Sequence, residues 1–424
     1  MNAKTDYKTT EIGDVPREWQ VIAIGKIARE VKLKNDSNKN LVVFAVTKHS
    51  GLVPSLEYFK KRVYSQDLSK YKVVKREQFA YSPIHLNEGA IGILETENEG
   101  LVSPLHVVFE FLPEANPYFF KYLLKSYRFL SIYFSLPQGS VERRGSILFN
   151  DFSKIYVQLP PLKEQNKIVS IISTVDDAIN KTDKMVQRTQ ELKRGLMQHL
   201  LTRGIGHTRF KQTQIGEIPE EWKAKQLKEV VKFIKSGISR EFSSQDIGYP
   251  VIRSTNIQDN RLNLRELKYW HLKDPQNVDL KNYIVEDGDI LVNFINSIDQ
   301  MGKCCIFRTQ KRDFIYTTNI LRVKLDQTML LHDYFHYFVQ TGIYKSQIYR
   351  ISKLAVQQAS FTHTDFQKIE ISIPPIEEQK KIVSILTELD EKIEKEKQRR
   401  KELQRLKKGL MQDLLTGRVR VKVS

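Results

Sequence analysis

Two pairs of loops carry the side chains whose types and spacing could do chemistry. The segment 82–89 reads SPIHLNEG and offers His85 and Asn87; its later counterpart, 293–302, reads NFINSIDQMG and offers Asn296 and Gln300, with Lys303 just beyond. A second pair, PQGSVERRGS at 137–146 and SKLAVQQAS at 352–360, offers Arg143 and Arg144, then Gln357 and Gln358. An Asn or Gln amide sets a donor beside an acceptor and so matches adenine in two hydrogen bonds, while the guanidinium fork suits guanine or phosphate. Lys60, Lys61, Arg62, Lys75 and Arg76 suit phosphates, which would be neutralised without any reading of sequence. The plainer reading of polar loop residues is that water solvates them. In both readings the chemistry on offer is hydrogen bonding rather than bond breaking.

Motifs for bond breaking are missing. No GxxxxGK[ST] or GxGxxG phosphate loop occurs, and no HExxH, paired CxxC or GxSxG. Ala115-Asn116-Pro117-Tyr118 lacks one proline of the Asn-Pro-Pro-Tyr loop used by amino-methyltransferases, and its counterpart is His332-Asp333-Tyr334. Both sit where a helix should begin, so the sequence predicts an N-terminal cap there. Asp390 and Glu391 lie on a long helical segment, where a solvated face accounts for them. The two cysteines, Cys304 and Cys305, are adjacent and read as structural. No catalytic residue and no metal site is expected.

Charge narrows the choice of partner. The 424 residues carry 68 Lys and Arg against 50 Asp and Glu, a formal net charge of +18 with a pI near 9.5. Nucleic acid is the leading polyanion, because phosphate neutralisation supplies most non-specific binding free energy. A membrane surface ranks second: no stretch of about 20 apolar residues appears, and the N-terminus has no apolar targeting core. A cytoplasmic chain is expected.

The elements that must position these loops are written twice. PPLKEQNKIVSII at 160–172 returns as PPIEEQKKIVSIL at 374–386, 214 residues on. The register holds from DFSKIYVQLPPL and DFQKIEISIPPI through to KRGLMQHLLT and KKGLMQDLLT. A second repeated block opens each copy, TEIGDVPREW at 10–19 and TQIGEIPEEW at 213–222, but at an offset of 203. The intervening regions, roughly 20–150 and 223–364, share little identity and differ in length by 11 residues. The order is variable, fixed, variable, fixed.

The fixed block has the spacing of a helical seam. Ile168, Ile172, Val175, Ile179, Thr182, Val186, Thr189, Leu196 and Leu200 follow alternating steps of four and three, as do Ile382, Leu386, Leu389, Ile393, Leu403, Leu410 and Leu414. Glu396 and Arg400 interrupt the second seam, and Leu192 and Leu406 fall one position off it. Prolines at the start and Gly204 or Gly417 at the end bound a helix of about 40 residues, about 60 Å long. A single stripe on so long a helix must be covered, and pairing the two copies covers both; packing of each helix on its own domain is the alternative. In the variable regions, NLVVFAV (40–46), LHVVFEFL (105–112), GYPVIR (248–253) and NILRVKL (319–325) read as strands. The last run of each copy leads into one helix, 117–134 or 333–351, with Phe119, Leu123 and Leu130 toward the core.

The paired [LI]PP[LI]xEQxKIV phrases, the KxGLMQxLLT ends and the TxIGxxPxEW openings resemble those of the DNA-specificity subunit of Type I restriction-modification systems. The resemblance spans nearly the whole chain. It implies an α/β (α+β) fold with a pseudo-two-fold internal repeat: target recognition domains at 1–158 and 204–372, a central spacer helix at 159–203, and a C-terminal spacer helix and tail at 373–424. The helices would pack as an antiparallel coiled coil. Each domain would read one half of a split double-stranded DNA target, the two halves on inverted strands. The helix length limits the separation of domain centres to about 18 base pairs, with about one helical turn preferred. The resemblance further implies two modification subunits that bind S-adenosylmethionine and methylate adenine, and restriction subunits that use ATP and Mg to translocate and cut. This chain would hold no cofactor. A self-contained adenine methyltransferase or nuclease, and a coiled-coil adaptor, are the competing readings.

Overall fold

Val107, Val108 and Phe109 are buried in succession, which a strand achieves only when both faces of its sheet are covered. The computed structural model describes residues 6–136, 146–308, 310–354 and 358–422. It divides the chain into two units, the first formed by residues up to 183 together with those from 397 onward, the second by residues 184–396.

In the first unit an antiparallel sheet runs in the order Ala28–Val31, Val107–Phe111, Phe79–Tyr81, Ile91–Ile93. Phe79, Tyr81, Val107 and Phe109 face one core with Phe119, Phe120 and Phe152, and the alternate residues Ala80 and Val108 face another with Phe44 and Val74. Aromatic stacking fills the first core, as between Phe79 and Phe109 (centroids 5.1 Å apart) and Phe111 and Phe120 (4.1 Å). The hairpin Phe44–Thr47 and Gly51–Pro54 lies across the sheet at Gly92, where an added Cβ would stand 2.6 Å from the Gly51 Cα. Only glycine allows that approach.

The second unit repeats the plan with Val231–Ser236, Ile320–Leu325, Ile290–Asn293 and Cys304–Ile306, all antiparallel. Cys304 and Cys305 are free thiols on one strand, so they point to opposite faces, one in each core. Burial pushes Cys305 up to about 12. Neither pairs with the other, and both pack as small apolar groups.

Two expectations for the variable regions change. The run 40–46 is extended only from Phe44, with Val43 making a single bridge to Leu101. The helices expected at 117–134 and 333–351 are each broken into two: Pro117–Leu123 and Tyr127–Ser135, then His332–Phe338 and Gly342–Ile351. In the second break Thr341 accepts from the Tyr344 N–H at 3.3 Å and so caps a new helix, a competition that side-chain periodicity does not reveal. Phe119 and Leu123 are buried and Leu130 is half-buried. The cap expected at Asn116 is present: its side chain accepts from the N–H groups of Tyr118 (2.8 Å) and Phe119 (3.3 Å).

The two long helices run Leu162–Arg203 and Ile376–Leu414. In the first unit Asp176 pairs with Lys407 at 2.6 Å and Asp183 with Arg400 at 2.7 Å, so the partner position falls by seven as the first helix advances by seven. That is antiparallel packing. In the second unit Lys193 pairs with Asp390 at 2.7 Å, and Leu200 shares a core with Ile382 and Leu386. Each seam is therefore continuous with its unit's core: Ile168, Ile172 and Leu414 belong to the first, Leu200, Ile382 and Leu386 to the second. Helix pairing and packing on the domain, set against each other from the sequence, both occur. Val175 and Ile393 are buried; Ile179, Val186, Leu196, Leu389, Leu403 and Leu410 are half-buried. Leu192 and Leu406, one step off the seam, are 54% and 51% exposed. The interruption at Arg400 is bridged by the Asp183 ion pair.

The Glu-Gln step of the repeated phrase locks each helix to its unit. Glu164, 2% exposed at its side chain, accepts from the Trp19 indole N–H at 2.9 Å and from Arg420 Nε at 2.7 Å. Glu378 accepts from the Trp222 indole at 2.9 Å, from the Ile205 N–H at 2.9 Å and lies 2.9 Å from His207 Nε2. Gln165 donates to the carbonyls of Pro160 (2.8 Å) and Glu114 (3.1 Å) and accepts from the Asn116 N–H (2.7 Å); Gln379 does the same with Pro374, Met329 and Leu331, each at 2.9 Å. A third repeated contact joins helix to helix and domain: Tyr122 donates to Asp176 (2.8 Å) and Tyr337 to Asp390 (3.0 Å), with Lys407 and Lys193 over the respective rings.

Beside the second of these contacts sits His336, whose Nδ1 is shut off from solvent without a hydrogen-bond partner among the described residues. Burial first, then Lys193 and Arg261, against the opposing pull of Asp333 and Asp390, push the imidazole down to about 4.

Replacing Glu164 by Gln should lower stability to urea by about 2–3 kcal/mol, because Arg420 loses its buried partner; Glu378→Gln should do the same in the second unit. An unchanged midpoint would show that the clamp does not hold the unit together. His336 gives a pH dependence. Its folded value lies below the ordinary 6.5, so protons favour the unfolded chain; the stability it contributes is intact above pH 6.5 and is lost as pH falls toward 4. Melts of wild type and His336→Gln should diverge over that window, with the variant losing less.

Candidate nucleic-acid interface

Strands Phe79–Tyr81 and Ile290–Asn293 end in the first pair of candidate loops. In the first unit the turn Leu86–Glu88 closes on Gly89, at φ +88°. His85 is exposed and its Nδ1 lies 2.8 Å from Glu88, which also pairs with Lys48. Asn87 is half-buried, and its Oδ1 has no hydrogen-bond partner among the described residues. The loop is tied to the end of the second candidate segment by the Ile147 N–H, which donates to the Pro83 carbonyl at 3.0 Å. Arg143 and Arg144 lie outside the described residues.

In the second unit the corresponding loops form one platform. Ile295–Asn296 pairs with Ala359–Ser360, which pairs in turn with Lys353–Leu354. Asn296 therefore stands opposite Ala359, next to exposed Gln358, while Gln357 lies outside the described residues. Asn296 Oδ1 accepts from the Ser297 N–H at 2.8 Å, and Gln300 Oε1 accepts from Lys303 at 2.9 Å. Lys303 also lines a cavity of about 370 Å³ with Asp259, Asn260, Asp299, Lys345 and Tyr349. Of these, Lys303 alone was singled out from the sequence. Tyr349 is 64% exposed on the helix Gly342–Ile351, and the Asp259-Asn260 turn has both residues at positive φ. The Asp-Asn pair signals a turn, but no local pattern places that turn beside Lys303.

The cations expected on phosphates divide into two groups. Lys60, Lys61 and Lys75 are exposed, and Lys60 adopts φ +57° at the end of a short helix. Arg62 is exposed but donates to the Ser65 carbonyl at 2.8 Å and lies over the Tyr64 ring. Arg76 is committed to the neighbouring turn, donating to the carbonyls of Glu95 (2.7 Å) and Thr96 (3.4 Å) and to Asn98 Oδ1 (3.2 Å). Its guanidinium organises the loop 95–98 of the protein itself. Among the described residues no cluster of His, Cys, Asp and Glu could hold a metal ion, and no helix is long and apolar enough to cross a membrane.

Comparison with known proteins accords with this frame. A family model described as Type I restriction modification DNA specificity domain matches residues 16–194 and again 219–405. The MjaVIII specificity subunit of Methanocaldococcus jannaschii is 26% identical over 436 residues, covering 96% of this chain and 94% of that protein. A putative MjaX specificity subunit of the same organism is 32% identical over 207 residues, so the match spans 49% of this chain and about half, 48%, of that relative. The S subunit of the Type I restriction-modification system from M. genitalium has the same fold at a TM-score of 0.53 and 12% identity, over 93% of this chain and 96% of that one. A chain from a structure of the assembly and conformational transition of the type I R-M system gives 0.57 at 17% identity, over 96% and 99%. With both copies of the domain matched in order along most of its length, the chain belongs to the Type I restriction-modification DNA specificity family.

Proposed function

We propose that the two units of this DNA-specificity subunit each read one half of a bipartite double-stranded target. The observation that carries the reading is a shared frame with different contents. Sheet, helix break, Trp-Glu clamp and Tyr-Asp-Lys contact recur in both units, whereas His85 and Asn87 in one loop are answered by Asn296 and Gln300 in the other. In the second unit Asn296, Gln300, Lys303 and Gln358 face base edges, and in the first His85 and Asn87 do so, with Arg143 and Arg144 on guanine or phosphate. Lys60, Lys61 and Lys75 hold the backbone. The long helices set the spacing of the half-sites and, with the repeated opening segments, dock two modification subunits.

As a family, specificity subunits are non-catalytic. Adenine-N6 methylation, with S-adenosylmethionine, and translocation and cleavage, with ATP and Mg, fall to the modification and restriction subunits of the complex. The setting is the cytoplasm, where the DNA and these partners meet.

Exchanging residues 20–150 for the equivalent region of another specificity subunit should change one half of the methylated sequence only, read by mapping methylated adenines in the host genome. A chimera that altered both halves would contradict the division of labour. Lys60→Ala or Lys75→Ala should weaken binding to target and non-target duplex alike and reduce the salt slope by about 1. Asn296→Ala or Gln300→Ala should cost about 1–3 kcal/mol on the target while sparing non-specific binding. Equal losses on both duplexes would reassign those side chains to the backbone.

A further inference from the structure

Between the turn after Thr47, the helix Pro117–Leu123 and the last turns of the second long helix, the first unit holds a cavity of about 210 Å³. Lys121, Lys125 and Lys407 all line it, as do His49, Tyr122 and Met411. Two of the lysines have their own counter-ions: Lys121 is 2.7 Å from Glu95, itself a lining residue, and Lys407 is 2.6 Å from Asp176. Lys125 does not. Among the described residues its Nζ reaches only the carbonyl oxygens of Lys48 and His49, both at 3.3 Å, and no carboxylate lies within ion-pair distance. A half-buried ammonium held by two long carbonyl contacts, with two more ammoniums in the same cavity, keeps an unmet demand for an anion.

We propose that this cavity is a phosphate-binding site, with Lys125 as the primary ligand and Lys121, Lys407 and His49 around it. The volume suits one phosphate group with part of what it is attached to. The Lys125 amine is pushed down to about 8, by burial first and then by Lys121 and Lys407, which a bound dianion would reverse. The site is confined to one unit: the positions equivalent to Lys121 and Lys125, counted from the start of the matching helix, are His336 and Gln340, and Gln340 donates to its own helix at the His336 carbonyl. The cavity also adjoins the first candidate loop, since Lys48, whose carbonyl contacts Lys125, pairs with Glu88. A backbone phosphate of DNA and a free phosphate or mononucleotide share this chemistry; the former source rests on the reading of this unit as a DNA reader, the latter does not.

The test is competitive amine labelling of the full chain in a phosphate-free buffer, followed residue by residue by mass spectrometry. Inorganic phosphate, a mononucleotide and duplex DNA are added in separate arms. Labelling of Lys125 should slow at least five-fold in one or more arms, while exposed Lys381 keeps its rate. Slowing by phosphate or mononucleotide alone marks a small-anion site; slowing by duplex at far lower phosphate concentration marks a backbone contact. Lys125→Gln, which installs the residue of the second unit, should weaken the effective ligand about ten-fold by calorimetry. Unchanged Lys125 labelling in all arms of the wild-type chain would overturn the proposal, whether or not the variant folds. DNA binding with no protection of Lys125 in any of the three arms would leave the recognition reading standing and this site refuted.

Discussion

A carboxylate clamped between segments distant in sequence, buried at Glu164 and half-buried at Glu378, is the constraint on which each unit depends. Glu164 brings together three segments distant in sequence: the opening hairpin through Trp19, the start of the long helix on which it stands, and the tail through Arg420. Removing such a charge from water costs several kcal/mol unless its lone pairs are filled, so the arrangement is stable only when all three segments are in place. Glu378 imposes the same condition with a different set of donors, the Trp222 indole, the Ile205 N–H and the His207 ring. The adjacent Gln165 and Gln379 then fix where the helices Pro117–Leu123 and His332–Phe338 start, each holding a backbone N–H just before the helix. Orientation of domain on helix is thereby set by hydrogen bonds with narrow geometry.

The long helices draw their stability from that arrangement more than from an independent seam. Helices with so many charged residues and half-buried seam positions need tertiary burial, and their buried positions concentrate where a helix meets a domain core: Ile168 and Ile172 at one end, Leu414 at another, Ile382 and Leu386 at a third. Between these, ion pairs and Tyr-Asp-Lys contacts fix register without adding much burial. Such contacts are individually weak, but Lys193 and Lys407 each satisfy a carboxylate and cover an aromatic ring at once, so a slip in register loses both.

Much of this was legible in the sequence because it is periodic or repeated. The helix ends follow from the flanking prolines and glycines, the burial of Ile168, Ile172, Leu200, Ile382, Leu386 and Leu414 from spacing, and the off-seam exposure of Leu192 and Leu406 from the same count. What spacing hides is the identity of distant partners. Glu164 and Gln165 stand in the repeated phrase, yet their donors and acceptors lie up to 256 residues away. The helix breaks at Ser126 and Thr341 are hidden because apolar residues continue through them, and at Thr341 a hydroxyl that caps looks the same as one that faces water. For the candidate site, the loops were found by their polar content, but the pairing of Asn296 with Ala359 was not, since short strands carry too little pattern to set register. Arg76 shows something else that spacing hides: an exposed cation whose hydrogen bonds to Glu95, Thr96 and Asn98 tie it to a neighbouring turn.

The separation of frame from loops explains how two readers can diverge on one scaffold. Both faces of each sheet are covered by residues of the strands themselves and of the elements over them, so Phe79, Val108 and Phe109, or Leu291, Val292 and Leu321, form the centre of each core, to which the loops add Leu86 in the first unit and Phe294, Met301 and Ala359 in the second. The loops are anchored by those few apolar residues and by backbone bonds, such as that from Ile147 to Pro83, which are indifferent to side-chain identity. A change at His85, Asn296 or Gln300 therefore alters what the loops present while leaving the two cores and the Trp-Glu clamp untouched. The same logic limits the freedom. Gly89, Gly92 and Gly302 sit where the loops or their flanks meet the core, and an added Cβ at Gly302 would press on Ile348 at 2.7 Å, so variation must stop at the glycines.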